Sequence, residues 1–224
     1  VNASTGANHG VVIWSTTSTL RSYNSSLSIA GYANGYQTSS NYTSSLPSAG
    51  VLVYSDANTL RGKTGVTITG IDLPGIGVYL AGFSAGSNGI TADTGAVTIN
   101  AINNNSTWYS TYIRQSLTAS SGTISINSAG QLGLSIDNSE SALTASGAVN
   151  INAYASLYHA FNLNSGAADT IRSTGGSITI SATTASSDAN YYALYEASTT
   201  SITANQNIIF QGASLAAATP GNIV

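Results

Sequence analysis

The chain contains no cysteine, which excludes a disulfide framework, a thiolate metal site and a thiol nucleophile. Charge is almost as scarce. Asp, Glu, Lys and Arg make up 6% of 224 residues, against roughly 25% in an ordinary soluble domain. The cations Arg21, Arg61, Lys63, Arg114 and Arg172 are scattered and the net charge is −3, so nothing invites nucleic acid or an anionic membrane surface. No apolar run of about 18 residues exists to make a transmembrane helix, and Val1-Asn2-Ala3-Ser4 lacks the basic and apolar regions of a signal peptide. Sustained helical periodicity with capping signals is missing too, which leaves helix a minor component at most.

Hydrophobic residues stand at the usual level, 42%, while Ser, Thr, Asn and Gly have replaced the charges. Such a surface is solvated by hydroxyls and amides, as in many extracellular fibres and repeat proteins. With cysteine absent and lysine nearly so, this composition leads us to expect an exported bacterial protein, secreted or held at the cell surface.

The chain repeats itself. A short apolar alternation recurs as Leu27-Ser28-Ile29, Val66-Thr67-Ile68, Val97-Thr98-Ile99, Ile124-Ser125-Ile126, Val149-Asn150-Ile151, Ile178-Thr179-Ile180 and Ile208-Ile209-Phe210, at steps of 25 to 39 residues. Ahead of most copies stands a second element, [Leu/Ile]-[Thr/Arg]-small, as in Leu60-Arg61, Ile90-Thr91-Ala92, Leu117-Thr118-Ala119, Leu143-Thr144-Ala145, Ile171-Arg172-Ser173 and Ile202-Thr203-Ala204. A third, looser element is clearest where Val11-Val12-Ile13-Trp14-Ser15 matches Val51-Leu52-Val53-Tyr54-Ser55 at an offset of 40. Later versions fall at 132–139, 158–165 and 191–198.

About three short strands per unit, with Gly and Asn between them, describe one coil of a parallel β-helix. The expectation is an all-β solenoid of about seven coils, roughly 35 Å long at ~4.8 Å per coil. It forms a single domain over residues 1–224, less regular over 1–60 and regular over 61–224. Alternation sends Val97 and Ile99 inward and Thr98 outward. After each triplet comes a polar residue and then a small one, as in Asn100-Ala101, Asn127-Ser128 and Asn152-Ala153. That pair suits a tight corner, and amides equivalent in successive coils can bond as a ladder. The unit breaks off within Leu215 to Val224, so the chain is expected to belong to a longer rod or to dock end to end on another copy.

The runs from Ile90 to Asn100 and from Ile171 to Ser181 resemble the repeats of filamentous-haemagglutinin-like adhesins and related bacterial β-strand-repeat surface proteins. The resemblance covers roughly residues 60–224. It implies a secreted right-handed β-helix projecting from the cell surface, a shaft for attachment, aggregation or biofilm formation. A self-assembling subunit of an extracellular filament or surface layer is the alternative.

Solenoid polysaccharide lyases and hydrolases share the architecture but need carboxylates clustered on adjacent coils. Asp93 is followed at its corner by Ser120, Ser146, Thr174 and Asn205, which makes no acidic column, and Asp137 and Glu140 form the closest acidic pair. No catalytic residue, cofactor or metal is expected; His9 and His159 are far apart and lack ligand-type companions. An ice-binding array would need two regular columns of Thr, which the uneven steps and Asn150 and Ile209 interrupt. The aromatic groups offer more: Trp108, Tyr109 and Tyr112, and Tyr191 and Tyr192, are the candidate contacts for a surface glycan or a neighbouring subunit. Rings that simply fill the wide part of a coil are the competing reading.

Overall fold

A computed structural model describes residues 2–4, 9–14, 19–34, 48–54, 60–81, 88–104, 107–137, 142–163, 169–196 and 200–215. These residues form strands, turns and bends, with no helix among them. The strands lie in three parallel sheets. Sheet I has eight strands: β1 (Asn2–Ser4), β4 (Leu27–Ala33), β7 (Gly65–Asp72), β10 (Ala96–Asn103), β13 (Ile124–Gly130), β16 (Val149–Ala155), β19 (Ile178–Thr184) and β22 (Ile208–Ser214). Sheet II holds β2 (His9–Trp14), β5 (Ala49–Tyr54), β8 (Ile76–Ala81), β11 (Tyr109–Arg114), β14 (Leu132–Ile136), β17 (Phe161–Leu163) and β20 (Leu194–Glu196). Sheet III holds β3 (Leu20–Ser22), β6 (Leu60–Gly62), β9 (Asn88–Ala92), β12 (Ser116–Ala119), β15 (Ala142–Ala145), β18 (Asp169–Ser173) and β21 (Thr200–Ala204).

The chain visits sheets I, II and III in turn, so the described residues make seven three-strand coils and the first strand of an eighth. This is the parallel β-solenoid that the repeat implies. Neighbouring coils pair with the repeats in register: Ile29, Ile68, Ile99, Ile126, Ile151, Ile180 and Phe210 stack in one column. Leu20, Leu60, Ile90, Leu117, Leu143, Ile171 and Ile202 stack in another. Side chains from all three sheets meet in one apolar core along the axis. Fully burying each Ile or Leu is worth about 1.5–3 kcal/mol, repeated coil after coil.

Sheets I and II differ in what covers them. In β10, buried Val97, Ile99 and Ala101 alternate with the more exposed Thr98, Asn100 and Ile102, the signature of one wet face. Every residue of β8 and β14 is buried. Sheet II is therefore covered on both sides in these coils, and its outward Leu52 and Tyr79 join Ala49, Ile76 and Ala81 in a second apolar cluster.

The corners rest on backbone bonds between coils. Asp93, Ser120, Ser146, Thr174 and Asn205 each donate their backbone N–H to a carbonyl of the preceding coil, at 2.9–3.1 Å, so the column inferred at this corner exists. Gly122 lies just beyond, where an added Cβ would come 2.2 Å from the Gly95 carbonyl oxygen; the coils approach too closely there for a side chain.

The polar-small pairs after the triplets do not turn the chain. Asn100, Asn127 and Asn152 lie within β10, β13 and β16 and face outward. The ladder itself is present: Asn127 Nδ2 donates to Asn100 Oδ1 at 2.9 Å, and Asn152 Nδ2 to Asn127 Oδ1 at 3.0 Å. Because the amides satisfy one another across the coils, the strand continues through them, and the small residue that follows packs inward. Residues 216–224, with most of the partial unit that closes the sequence, lie outside the described residues.

Candidate functional site

Sheet II begins each pass at one recurrent position, two residues before the inward column Val11, Val51, Val78, Thr111, Leu134, Phe161 and Leu194. His9, Ala49, Ile76, Tyr109, Leu132, His159 and Tyr192 occupy it. Both histidines use it alike. His9 Nδ1 accepts the backbone N–H of Ala49 at 3.1 Å, and His159 Nδ1 accepts that of Tyr192 at 2.9 Å. Each imidazole thus clamps its own coil to the next. Burial lowers both pKa values, that of His159 to about 4. A neutral ring keeps Nδ1 free to accept.

Around His159 the aromatic residues close into a strip. His159 stacks on Tyr192 and Tyr195, with ring centres 5.6 and 4.4 Å away, and meets Tyr158 and Tyr191 edge-on. Tyr158 contacts Tyr191 at 4.4 Å and Tyr109 at 6.0 Å. Tyr109 lies against Tyr112, which stacks on Tyr79 at 5.2 Å. The strip thus runs along the solenoid from β8 to β20, with no ring contributed by β14 between Tyr109 and Tyr158 and with most of its rings half-buried.

Two of its hydroxyls are tied down. Tyr109 accepts from Asn162 Nδ2 at 2.7 Å, and Tyr112 donates to the carboxylate of Asp137. Desolvation is the main force raising both tyrosine pKa values, and for Tyr112 the Asp137 carboxylate adds to it. Both phenols stay protonated at neutral pH. Asp137 is therefore occupied by a tyrosine of the preceding coil, while Glu140, its companion in the sequence, lies outside the described residues.

Four of the five aromatic candidates, Tyr109, Tyr112, Tyr191 and Tyr192, belong to this one strip. Trp108 is exposed beside it, and its backbone carbonyl accepts from Asn103 Nδ2 at 2.7 Å. Tyr158 and His159 join the two halves of the strip. Their role is set by coil stacking, and the one sequence signal for it is that His159 follows a tyrosine near the start of a sheet II unit. Phe161, by contrast, is an inward core residue, as the filling of wide coils requires.

A second feature lies at the corner between sheets I and II, where buried polar side chains collect. Asn103 Nδ2 donates to the Gly75 carbonyl at 3.0 Å, and Ser110 Oγ lies 2.9 Å from Asn103 Oδ1. In the preceding coil Asp72 stands in register with Asn103. It is fully buried, and desolvation raises its pKa to about 6 against the opposing influence of Ser48 and the Gly75 backbone.

The ends of the stack are a third. β22, β20 and β21 each have a partner strand on one side only among the described residues. Ile208, Ile209 and Phe210 are 43%, 39% and 39% exposed, whereas Ile180, directly beneath Phe210, is 1% exposed. At the other end Val12, Trp14 and Leu20 are exposed. Comparison of the chain with protein-family models, with curated proteins and with solved structures gave no match to any of them.

Proposed function

We propose that this chain is a structural rod: a segment of the shaft of an extracellular bacterial adhesin or surface fibre that extends by stacking further coils end to end. The observation that carries the reading is the last strand of sheet I. Ile208 and Phe210 continue the inward columns of Ile178 and Ile180, yet they are 43% and 39% exposed, and their strand has a partner on one side only among the described residues. An uncovered parallel edge is a template for pairing. The neutral, hydroxyl-rich surface supports an extracellular setting, where solubility rests on amides and hydroxyls instead of charge.

The apolar residues at the opposite end, Val12, Trp14 and Leu20, favour a second form of the same reading, in which copies join head to tail as a filament. Such contacts are heterologous and do not close on themselves. Electron microscopy and light scattering of the purified chain test both forms. Filaments of indefinite length support the subunit reading, and short concentration-dependent stacks support a rod segment. A compact monomer that persists at high concentration refutes both.

A further inference from the structure

We propose that the outer face of sheet I carries a binding groove for a neutral oligosaccharide, separate from the tyrosine strip and independent of how the rod assembles. The groove measures about 540 Å³ and crosses β10, β13, β16 and β19. One wall is the amide ladder of Asn100, Asn127 and Asn152. The other is an outward column in which Ile102, Ala129, Tyr154 and Thr183 stand in register. Ile102 and Tyr154 are 47% and 38% exposed; Ala129 between them is small, and the dip it leaves is the notch of the groove.

Three properties select the ligand. No charged side chain lines the groove, so nothing there rewards an ionic ligand or offsets its desolvation. The ladder uses one N–H of Asn127 and one of Asn152, and each amide keeps its second N–H for an outside acceptor. Since the ladder already fixes these amides, a ligand does not have to order them. Tyr154 adds an exposed aromatic ring, which takes the C–H face of a sugar while its hydroxyls bond to the amides. Four strands at ~4.8 Å spacing give the groove a length of ~14 Å, enough for a few sugar rings laid along the solenoid axis.

The test is affinity electrophoresis and calorimetry of the chain against neutral and uronic-acid oligosaccharides, with Ala129→Tyr to fill the notch and Tyr154→Ala to remove the ring. Both positions face outward, and circular dichroism checks that each variant keeps the parent fold. Tyr23→Ala, at an exposed tyrosine outside both the groove and the strip, serves as the control, and Tyr191→Ala asks whether the strip binds sugar instead. The expected result is binding of at least one neutral oligosaccharide, weakened tenfold or more by each groove variant and unchanged by Tyr23→Ala. The proposal is overturned if no neutral glycan binds, if uronic-acid chains bind better, or if the loss follows Tyr191→Ala and not the groove variants. Self-association abolished by Ala129→Tyr, without glycan binding, would assign the groove to a second copy and overturn it equally.

Discussion

Two buried titratable residues pull the stability of this chain in opposite directions. His159 has its folded pKa lowered to about 4 from 6.5, so the folded state binds fewer protons than the unfolded one between those values. Its contribution is fully present above about pH 6.5 and is lost as pH falls towards 4. Asp72 is raised from 3.8 to about 6. The folded state holds that proton longer, and stability declines as pH rises from about 4 to 6. The two effects offset each other in the parent, and single substitutions separate them. With Asp72→Asn, urea unfolding at pH 7 should show greater stability than the parent, and the loss on acidification should steepen. With His159→Gln the chain should be weaker at pH 7, having lost a neutral clamp on the Tyr192 backbone, yet should gain stability between pH 6 and 4. Parallel pH profiles for parent and both variants would contradict this assignment.

At the scale of the strand, the in-and-out alternation of sheet I makes sharp predictions. Ile151→Asp places an unpaired carboxylate in the column between Ile126 and Ile180 and should cost several kcal/mol, roughly 3 or more. Thr98→Asp, on the outer face, should stay within about 0.5 kcal/mol. Asn127→Ala removes both ladder bonds at once and, on a partly exposed face, should cost about 1 kcal/mol. Urea midpoints of the three variants check this ranking. The same alternation made sheet I legible in the sequence, and the Leu/Ile-Thr/Arg-small element marked sheet III. Sheet II was harder to read. Several of its strands, β5, β8 and β14 among them, are buried on both faces, which replaces alternation with continuous runs such as Ile76–Ala81. The long match disclosed β2 and β5, and the looser units expected at 132–139, 158–165 and 191–198 contract to Leu132–Ile136, Phe161–Leu163 and Leu194–Glu196, while β8 and β11 went unread. The Asn residues misled about the corners because polar-small is also the grammar of a turn. What distinguishes them is a partner one coil away, which local sequence does not contain. For the same reason the aromatic clusters could be found separately, but not their union through Tyr158 and His159.

For the whole molecule, the proposed end-to-end stacking sets the test. Ile208→Lys and Phe210→Lys put charge on β22, which has a partner strand on one side only among the described residues, and should shift light scattering towards monomer, while the equivalent change at outward Thr179 should leave association unaltered. Pairing between coils has a further consequence, and it is mechanical. The interstrand hydrogen bonds of a solenoid run along its axis, so a load applied to the two ends pulls on them one coil at a time. Each coil meets only its neighbours in these sheets, and the terminal coil can peel away while those below it hold. A repeat of 25 to 39 residues then releases roughly 80–130 Å of slack at ~3.3 Å per residue. Stretched between two anchors, such a rod would yield in unequal steps and reel back when slackened, and single-molecule force spectroscopy should record a sawtooth whose spacings follow the uneven lengths of the coils. A surface tether built this way would be a shock absorber.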